Sequence, residues 1–344
     1  MKTMTLGRTG IVTNQIAFGV LPLQRVTKSE AVYMLQKARD AGITFYDTAR
    51  GYTDSEEKIG AAFGSRDDLF IATKNSAQNG ADMTKMLDTS LQMLKRDYVD
   101  IFQFHNPSFC PRPDDGTGLY EAALKAKEQG KIRHIGISQH HNKVAIEAIE
   151  SGLYDSLQYP LSYLSDETDI NVMKKCVEHG MGYIVMKAMA GGLLDNAQAS
   201  YAFLDQYNVL PIWGIQHDHE LDEFISFIDN PPAMTPDLHK VIERDRKDLA
   251  SEFCRGCGYC LPCPVNIPIN MAARMSLFLR RSTTKTWLNE ENQEKMARIE
   301  SCVNCGHCVK NCPYGLDVTG LLEKNYADYK GILSGEVAIK HTDN

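Results

Sequence analysis

Ten cysteines occur in this 344-residue chain, and eight of them fall in two runs near its end. The first run reads Cys254-Arg-Gly-Cys257-Gly-Tyr-Cys260-Leu-Pro-Cys263, and the second reads Cys302-Val-Asn-Cys305-Gly-His-Cys308-Val-Lys-Asn-Cys312-Pro313. The second has the C-x2-C-x2-C-x3-C-P spacing in which three thiolates take one [4Fe–4S] cubane while the distant fourth reaches another. Crossed ligation then assigns Cys254, Cys257, Cys260 and Cys312 to one cluster, and Cys302, Cys305, Cys308 and Cys263 to the other. The first run departs from the pattern, with two residues rather than three before Cys263. Structural zinc is the competing chemistry, since it also uses C-x2-C pairs, but it has no use for the Cys-Pro closures. Cys110 and Cys176 stand apart; the first reads as an ordinary thiol in a loop, the second as core.

A second set of polar residues is spread through the first two thirds of the chain. Asp47, Lys74, His105, Ser138, Gln158 and Lys187 each lie in or at the end of a short β-branched or aromatic run. The runs are residues 16–20, 43–46, 69–73, 99–104, 134–137, 156–159, 183–186 and 209–213, and amphipathic stretches separate them at 28–41, 82–96, 119–129, 142–151 and 169–179. Gly42, Gly130, Gly152 and Gly180 sit where helices should end. Eight strands alternating with helices predict a (β/α)8 barrel, on which strand ends converge at one mouth. A doubly wound sheet is the alternative, but no G-x-G-x-x-G follows the first strand.

These residues carry a family resemblance. Asp47-Thr-Ala-Arg-Gly-Tyr52, the strand closing on Lys74 and the strand closing on His105 resemble, in order, the motifs of the aldo-keto reductases. Leu6-Gly-Arg-Thr-Gly10 resembles the hairpin that caps the barrel floor in that family, and Ile132-Arg-His-Ile-Gly-Ile-Ser138 resembles its nicotinamide-binding segment. The resemblance implies a catalytic tetrad of Asp47, Tyr52, Lys74 and His105. Tyr52 would give a proton to a carbonyl oxygen while a nicotinamide gives hydride to its carbon, Lys74 held by Asp47 would lower the phenol pKa, and His105 would orient the carbonyl. It further implies cofactor contacts at Ser138, Gln139, Gln158, Lys187, Gly214, Glu220 and Glu223.

Three positions depart from the family pattern. Gln139 replaces an asparagine, Lys187 stands where an aromatic ring commonly stacks on nicotinamide, and Glu220 stands where an arginine receives the 2′-phosphate of NADPH. A carboxylate there repels that phosphate and can accept a hydrogen bond from ribose, so the expected cofactor is NAD(H) rather than NADP(H). A hydride carries two electrons and a cubane passes one, which makes a flavin adapter a further expectation although no flavin motif is present. His217 and His219 read as solvent-facing, His140 and His141 as neighbours of the mouth, and His307 as a neighbour of a cluster.

The resulting organisation is a barrel over residues 1–235, a helical linker over 236–250, a mostly helical ferredoxin-like domain with both clusters over 251–330, and a tail over 331–344. The domain is expected to be helical because 271–280 and 289–298 carry helix formers at helical spacing. The net charge of −7 gives no ground for a nucleic-acid partner, and no apolar run suits a signal peptide or a membrane span, so a cytoplasmic location is expected. The leading function is an iron–sulfur oxidoreductase acting on a small carbonyl or alcohol, its clusters relaying electrons, with an electron-transfer partner. The alternatives are an electron carrier with a degenerate barrel, and a conventional carbonyl reductase with structural or sensing clusters. The loops over 106–118 and 191–198 carry no substrate signature.

Overall fold

The computed structural model describes residues 2–249, 253–281 and 287–338. The chain divides into two compact units, one comprising Met1–Ala188 and Asn196–Ile242, the other Met189–Asp195 and Glu243–Asn344.

The first unit opens with a hairpin of β1 (Met4–Thr5) and β2 (Val12–Thr13), then closes eight parallel strands into a barrel. These are β3 (Ala17–Gly19), β4 (Phe45–Asp47), β5 (Phe70–Asn75), β6 (Val99–His105), β7 (Ile132–Ser138), β8 (Ser156–Pro160), β9 (Gly182–Met186) and β10 (Leu210–Gly214), with β10 paired to β3 to complete the ring. The (β/α)8 expectation holds, and each of the eight runs read from the sequence overlaps one of these strands, seven of which extend beyond the run. Helices α1 (Lys28–Asp40), α2 (Ser55–Phe63), α3 (Gly80–Leu94), α4 (Leu119–Glu128), α5 (Asn142–Ser151), α6 (Glu167–Glu178), α7 (Ala197–Leu204) and α8 (Asp218–Asp229) lie between and after them. Local chemistry fixes their starts. Thr27 and Glu30 form a reciprocal capping box on α1, and the Asn79 and Asp166 side chains accept from the third backbone N–H of α3 and α6.

Two-residue periodicity along the strands builds the site. Ala17, Phe45, Ala72, Ile101, Ile184, Leu210 and Ile212 form an apolar cluster with Met4, Leu6 and Ile11 of the hairpin segment, which closes the barrel floor. The approach is tight, because a Cβ on Gly182 of β9 would stand 2.7 Å from Leu6 Cγ. Two residues further along three strands, Phe45 gives way to Asp47, Ala72 to Lys74 and Ile101 to Gln103. Burial thus turns from apolar to polar toward the carboxyl ends of the strands.

The division between units falls within helix α9 (Pro236–Asp248). The second unit is helical, with α10 (Ile269–Ala272), α11 (Met275–Arg281), α12 (Glu290–Ala297), α13 (His307–Lys310) and α14 (Val318–Ser334). Its core gathers Ile267, Ile269, Met275, Leu279, Met296, Leu322, Tyr329 and Ile332. The helix expected over 271–280 is broken at Ala273 and Arg274 into α10 and α11, and α14 runs past residue 330 to Ser334. Ala250 of the expected linker, Ser251 and Glu252 of the expected domain, and residues 339–344 of the expected tail lie outside the described residues.

Candidate functional site

Asp47 and Lys74 form the centre of the polar layer in the barrel. Lys74 Nζ donates to Asp47 Oδ2 and to the Thr48 carbonyl, each at 2.7 Å, and both side chains are almost wholly buried. Two carboxamides complete the shell of Asp47, with Gln103 Nε2 donating to Oδ1 at 3.2 Å and Gln158 Nε2 to Oδ2 at 3.4 Å. Burial raises the carboxyl pKa of Asp47 and lowers the ammonium pKa of Lys74, opposed in both by their mutual attraction. Gln103 was not among the sequence-derived site residues. Its signal is its position two residues before His105, which places it on the inward face of β6.

Tyr52 and His105 complete the group. Their rings meet edge to face with centroids 5.8 Å apart, and Lys74 Nζ lies 5.1 Å from the Tyr52 ring centroid. The structure therefore brings all four residues of the expected tetrad together at one end of the barrel. Lys74 meets Tyr52 at the ring face rather than at the hydroxyl, and its hydrogen bonds go to Asp47 and Thr48. Burial, and then the Asp47 charge, raise the Tyr52 phenol well above its ordinary range. Burial, and then the charge of Lys74, push the His105 imidazole down to about 3, so it is neutral at neutral pH.

The expected cofactor residues are placed unevenly. Ser138 and Gln158 are buried and paired across β7 and β8, and Gln158 Oε1 has no hydrogen-bond partner among the described residues. An orphaned acceptor beside the mouth fits a ligand carboxamide N–H. Gln139 does not offer its amide to a ligand. Its Nε2 donates to the Pro107 carbonyl at 2.6 Å, and its Oε1 accepts from the N–H groups of His140 and His141 at 3.2 Å. Lys187 directly follows β9, in a left-handed backbone conformation, φ 58°. Gly214, the last residue of β10, is exposed, as is Glu223 on α8.

Glu220 departs most from its expected role. Its Oε2 accepts from the N–H of Gln216 at 2.7 Å and of His217 at 2.9 Å, which closes a capping box at the start of α8. The carboxylate is folded onto the helix end rather than extended toward a ribose. The reason is local: a glutamate three residues into a helix finds orphan backbone donors within reach. His217 and His219 stack with ring centroids 5.6 Å apart on this exposed turn.

In the second unit, Cys263, Cys302, Cys305 and Cys308 line one cavity, with Pro264, Ile267, His307 and Thr319 among its other walls. This cavity joins the last cysteine of the first run to the first three of the second. Among the described residues, no three His, Cys, Asp or Glu side chains are gathered so as to hold a single metal ion. Four thiols spread around one cavity suit a body broader than an ion, as a cubane is, and their soft sulfur donors fit iron. In the first run, Gly256 N–H donates to Cys254 Sγ at 3.4 Å, and the Cys260 thiol is raised by burial and then by Cys254 and Cys257 nearby. Gly256 has φ +64°, and a Cβ there would lie 2.7 Å from Arg274 Cζ, so only glycine suits this turn. Cys254 and Cys312 are each partly buried against the core of the unit. Arg274 also donates to the Gly191 carbonyl at 2.7 Å, which holds the segment Met189–Asp195 within the second unit.

Comparison with known proteins gives two family matches. The Aldo/keto reductase family matches residues 13–209, and a 4Fe-4S dicluster domain matches residues 253–317. Among curated relatives, L-galactose dehydrogenase of Arabidopsis thaliana is 30% identical over 214 residues, 56% of this chain and 67% of that enzyme. A methylglyoxal reductase of Yersinia pestis is 33% identical over 38% of this chain and 47% of its own, and a 6-dehydroglucose reductase of Novosphingobium aromaticivorans is 30% identical over 44% and 56%. The chain thus spans about half of these two bacterial relatives. Among solved structures, an aldo-keto reductase from Bacillus halodurans in its holo form superimposes with a TM-score of 0.62 at 20% identity, over 71% of this chain and 96% of that one. That likeness is one of fold.

Proposed function

The chain belongs to the aldo/keto reductase family and carries a 4Fe-4S dicluster domain, and from that premise we propose that its barrel reduces a small carbonyl compound with NADH while the clusters relay electrons. The observation that carries this reading is the buried Asp47–Lys74 pair with Tyr52 and His105 gathered against it. A nicotinamide, when bound, supplies hydride to the carbonyl carbon; the residues present supply the proton and the positioning. Tyr52 gives its hydroxyl proton to the carbonyl oxygen, so one hydride and one proton convert carbonyl to alcohol. The neutral His105 holds that oxygen by a hydrogen bond from its ring N–H. Lys74, kept in place by Asp47 and Thr48, puts positive charge beside the phenolate that proton transfer leaves. Ser138 and Gln158 are the residues suited to hold the carboxamide of the nicotinamide.

Glu220 supports NADH over NADPH by a different route from simple exposure of charge. Its carboxylate already occupies the anion seat at the start of α8, where its own oxygen takes two backbone N–H groups. A 2′-phosphate would have to displace it. Titration of the protein with each cofactor tests this: NADH is expected to bind at least tenfold tighter, and equal or tighter NADPH binding would refute it. The Glu220→Gln variant should narrow the gap.

The names of the relatives support an oxygenated substrate, a ketoaldehyde or a sugar carbonyl. For the clusters, two one-electron centres match the two electrons of a hydride that is not spent on the carbonyl: one further NADH would reduce both, through a flavin, leaving NAD+ and a proton. Anaerobic mixing with NADH, with and without a flavin, reads the relay directly as bleaching of the iron–sulfur absorbance. Bleaching supports it, and unchanged absorbance in both cases leaves the clusters a structural or sensing role.

A further inference from the structure

We propose that Glu56 is a positioning residue for Tyr52 and Lys74, a role that rests on the catalytic reading of that pair. Glu56 lies in the first turn of α2 and is 1% exposed, so its carboxylate must be satisfied within the protein. Both oxygens are. Oε1 accepts from Thr73 Oγ1 at 2.7 Å, and Oε2 pairs with Arg50 Nη1. Neither partner is in the site, but each adjoins it. Thr73 immediately precedes Lys74 on β5 and takes the opposite face of the strand. Arg50 stands two residues before Tyr52 in the loop between β4 and α2.

The loop that carries Tyr52 is consequently bound to β5 at successive points. Thr48 N–H donates to the Ala72 carbonyl at 2.9 Å, Arg50 N–H donates to the Lys74 carbonyl at 2.8 Å, and Lys74 Nζ donates to the Thr48 carbonyl at 2.7 Å. The Arg50–Glu56–Thr73 bridge adds a side-chain tie behind the strand, while Thr48 Oγ1 and Ser55 Oγ close the ends of the loop at 2.7 Å. Glu56 is the member that joins loop, strand and helix through charge. It also leaves two buried carboxylates, Asp47 and Glu56, balanced by two cations, the buried Lys74 and the partly exposed Arg50. Its charge favours the protonated ammonium of Lys74. Without it, Arg50 loses its partner and the loop loses the bridge, so the spacing of Tyr52 and Lys74 is free to drift.

A double-variant cycle separates this from plain structural support. The full-length holoenzyme is assayed anaerobically with NADH and the aldehyde it reduces fastest from a set that includes methylglyoxal. Glu56→Gln should lower kcat by about 10- to 100-fold with KM for NADH changed less than about threefold. In a Tyr52→Phe background the same substitution should cost less than about twofold, because the pair it positions is already broken. An unchanged kcat in Glu56→Gln, or an equal fall in both backgrounds, overturns the proposal. If Glu56→Gln does not fold, Thr73→Val removes one of the two hydrogen bonds without altering charge, and it should show the same non-additive pattern with a smaller fall. An additive or absent effect there overturns it too. Wild-type turnover by Tyr52→Phe alone would overturn the catalytic reading itself, and that result is visible before Glu56 is touched.

Discussion

Lys74 reaches Tyr52 through the face of its ring, 5.1 Å from the centroid, and not through its hydroxyl. The ammonium is therefore a cation–π neighbour of the phenol while its hydrogen bonds hold Asp47 and Thr48. Without bound cofactor the phenol is held neutral, since burial and the Asp47 charge both disfavour phenolate. An ultraviolet difference titration between wild type and Tyr52→Phe should show no phenolate from Tyr52 at a pH of about 10, where an ordinary tyrosine is half ionised. A Tyr52 signal near neutral pH would mean that Lys74 acts on the hydroxyl after all.

The Asp47–Lys74 pair is a buried ion pair, and removing one partner leaves the other charge stranded. Lys74→Met is expected to destabilise the folded chain by about 3–5 kcal/mol, measured by chemical denaturation. Asp47→Asn/Lys74→Met together should cost less than Lys74→Met alone, because no unpaired charge remains. A double variant as unstable as the sum of the singles would show that the pair acts mainly through its hydrogen bonds to the strand ends.

His105 supplies a pH dependence whose sign follows from its environment. Its folded pKa is pushed down to about 3 by burial and then by Lys74, whereas an unfolded histidine titrates at about 6.5. Below the unfolded value, the unfolded chain takes up a proton that the folded chain refuses. The stability held by neutral His105 is thus complete above the unfolded pKa and is lost progressively as pH falls toward the folded one. His105→Gln should flatten the acid limb of the stability profile. An imidazole seen by NMR to be protonated at pH of about 6 would contradict the buried neutral ring.

The cavity shared by Cys263, Cys302, Cys305 and Cys308 makes the crossed ligand set testable. Cys263→Ser, purified anaerobically, should lose about half of its iron and acid-labile sulfide, with a changed spectrum for one cluster only. Full iron content with both clusters unaltered would remove Cys263 from the ligand set, and zinc in place of iron would remove the clusters.

Much of this architecture is legible in the sequence because its signals are local and periodic. The eight strands announce themselves as short β-branched or aromatic runs, and the polar residues at their ends, Lys74 and His105 among them, already point to one mouth. Gln103 escapes notice because a glutamine inside an apolar strand carries no motif; only the closed barrel shows that it faces Asp47. Glu56 is hidden for the opposite reason, since a glutamate in the first turn of a helix looks like an ordinary solvated residue until Thr73 and Arg50 enclose it. Glu220 was legible as a charge but not as a cap, because alignment of a loop says where a side chain starts and not which donors it meets. The break of the 271–280 helix at Ala273 and Arg274 is likewise invisible to helix propensity. There Arg274 leaves the helical pattern to hold Gly191 and to cover Gly256, contacts made between segments far apart in the chain.

In the proposed reaction, hydride passes to a carbonyl carbon in the barrel while Tyr52 supplies the proton. The most direct measurement follows deuterium from NADH labelled at the transferable position into the alcohol product, for wild type and Tyr52→Phe. One deuterium is expected on the former carbonyl carbon for each NADH that wild type spends on the carbonyl, with the rate falling at least about 100-fold in Tyr52→Phe. Unlabelled alcohol, or full turnover without the Tyr52 hydroxyl, would contradict it.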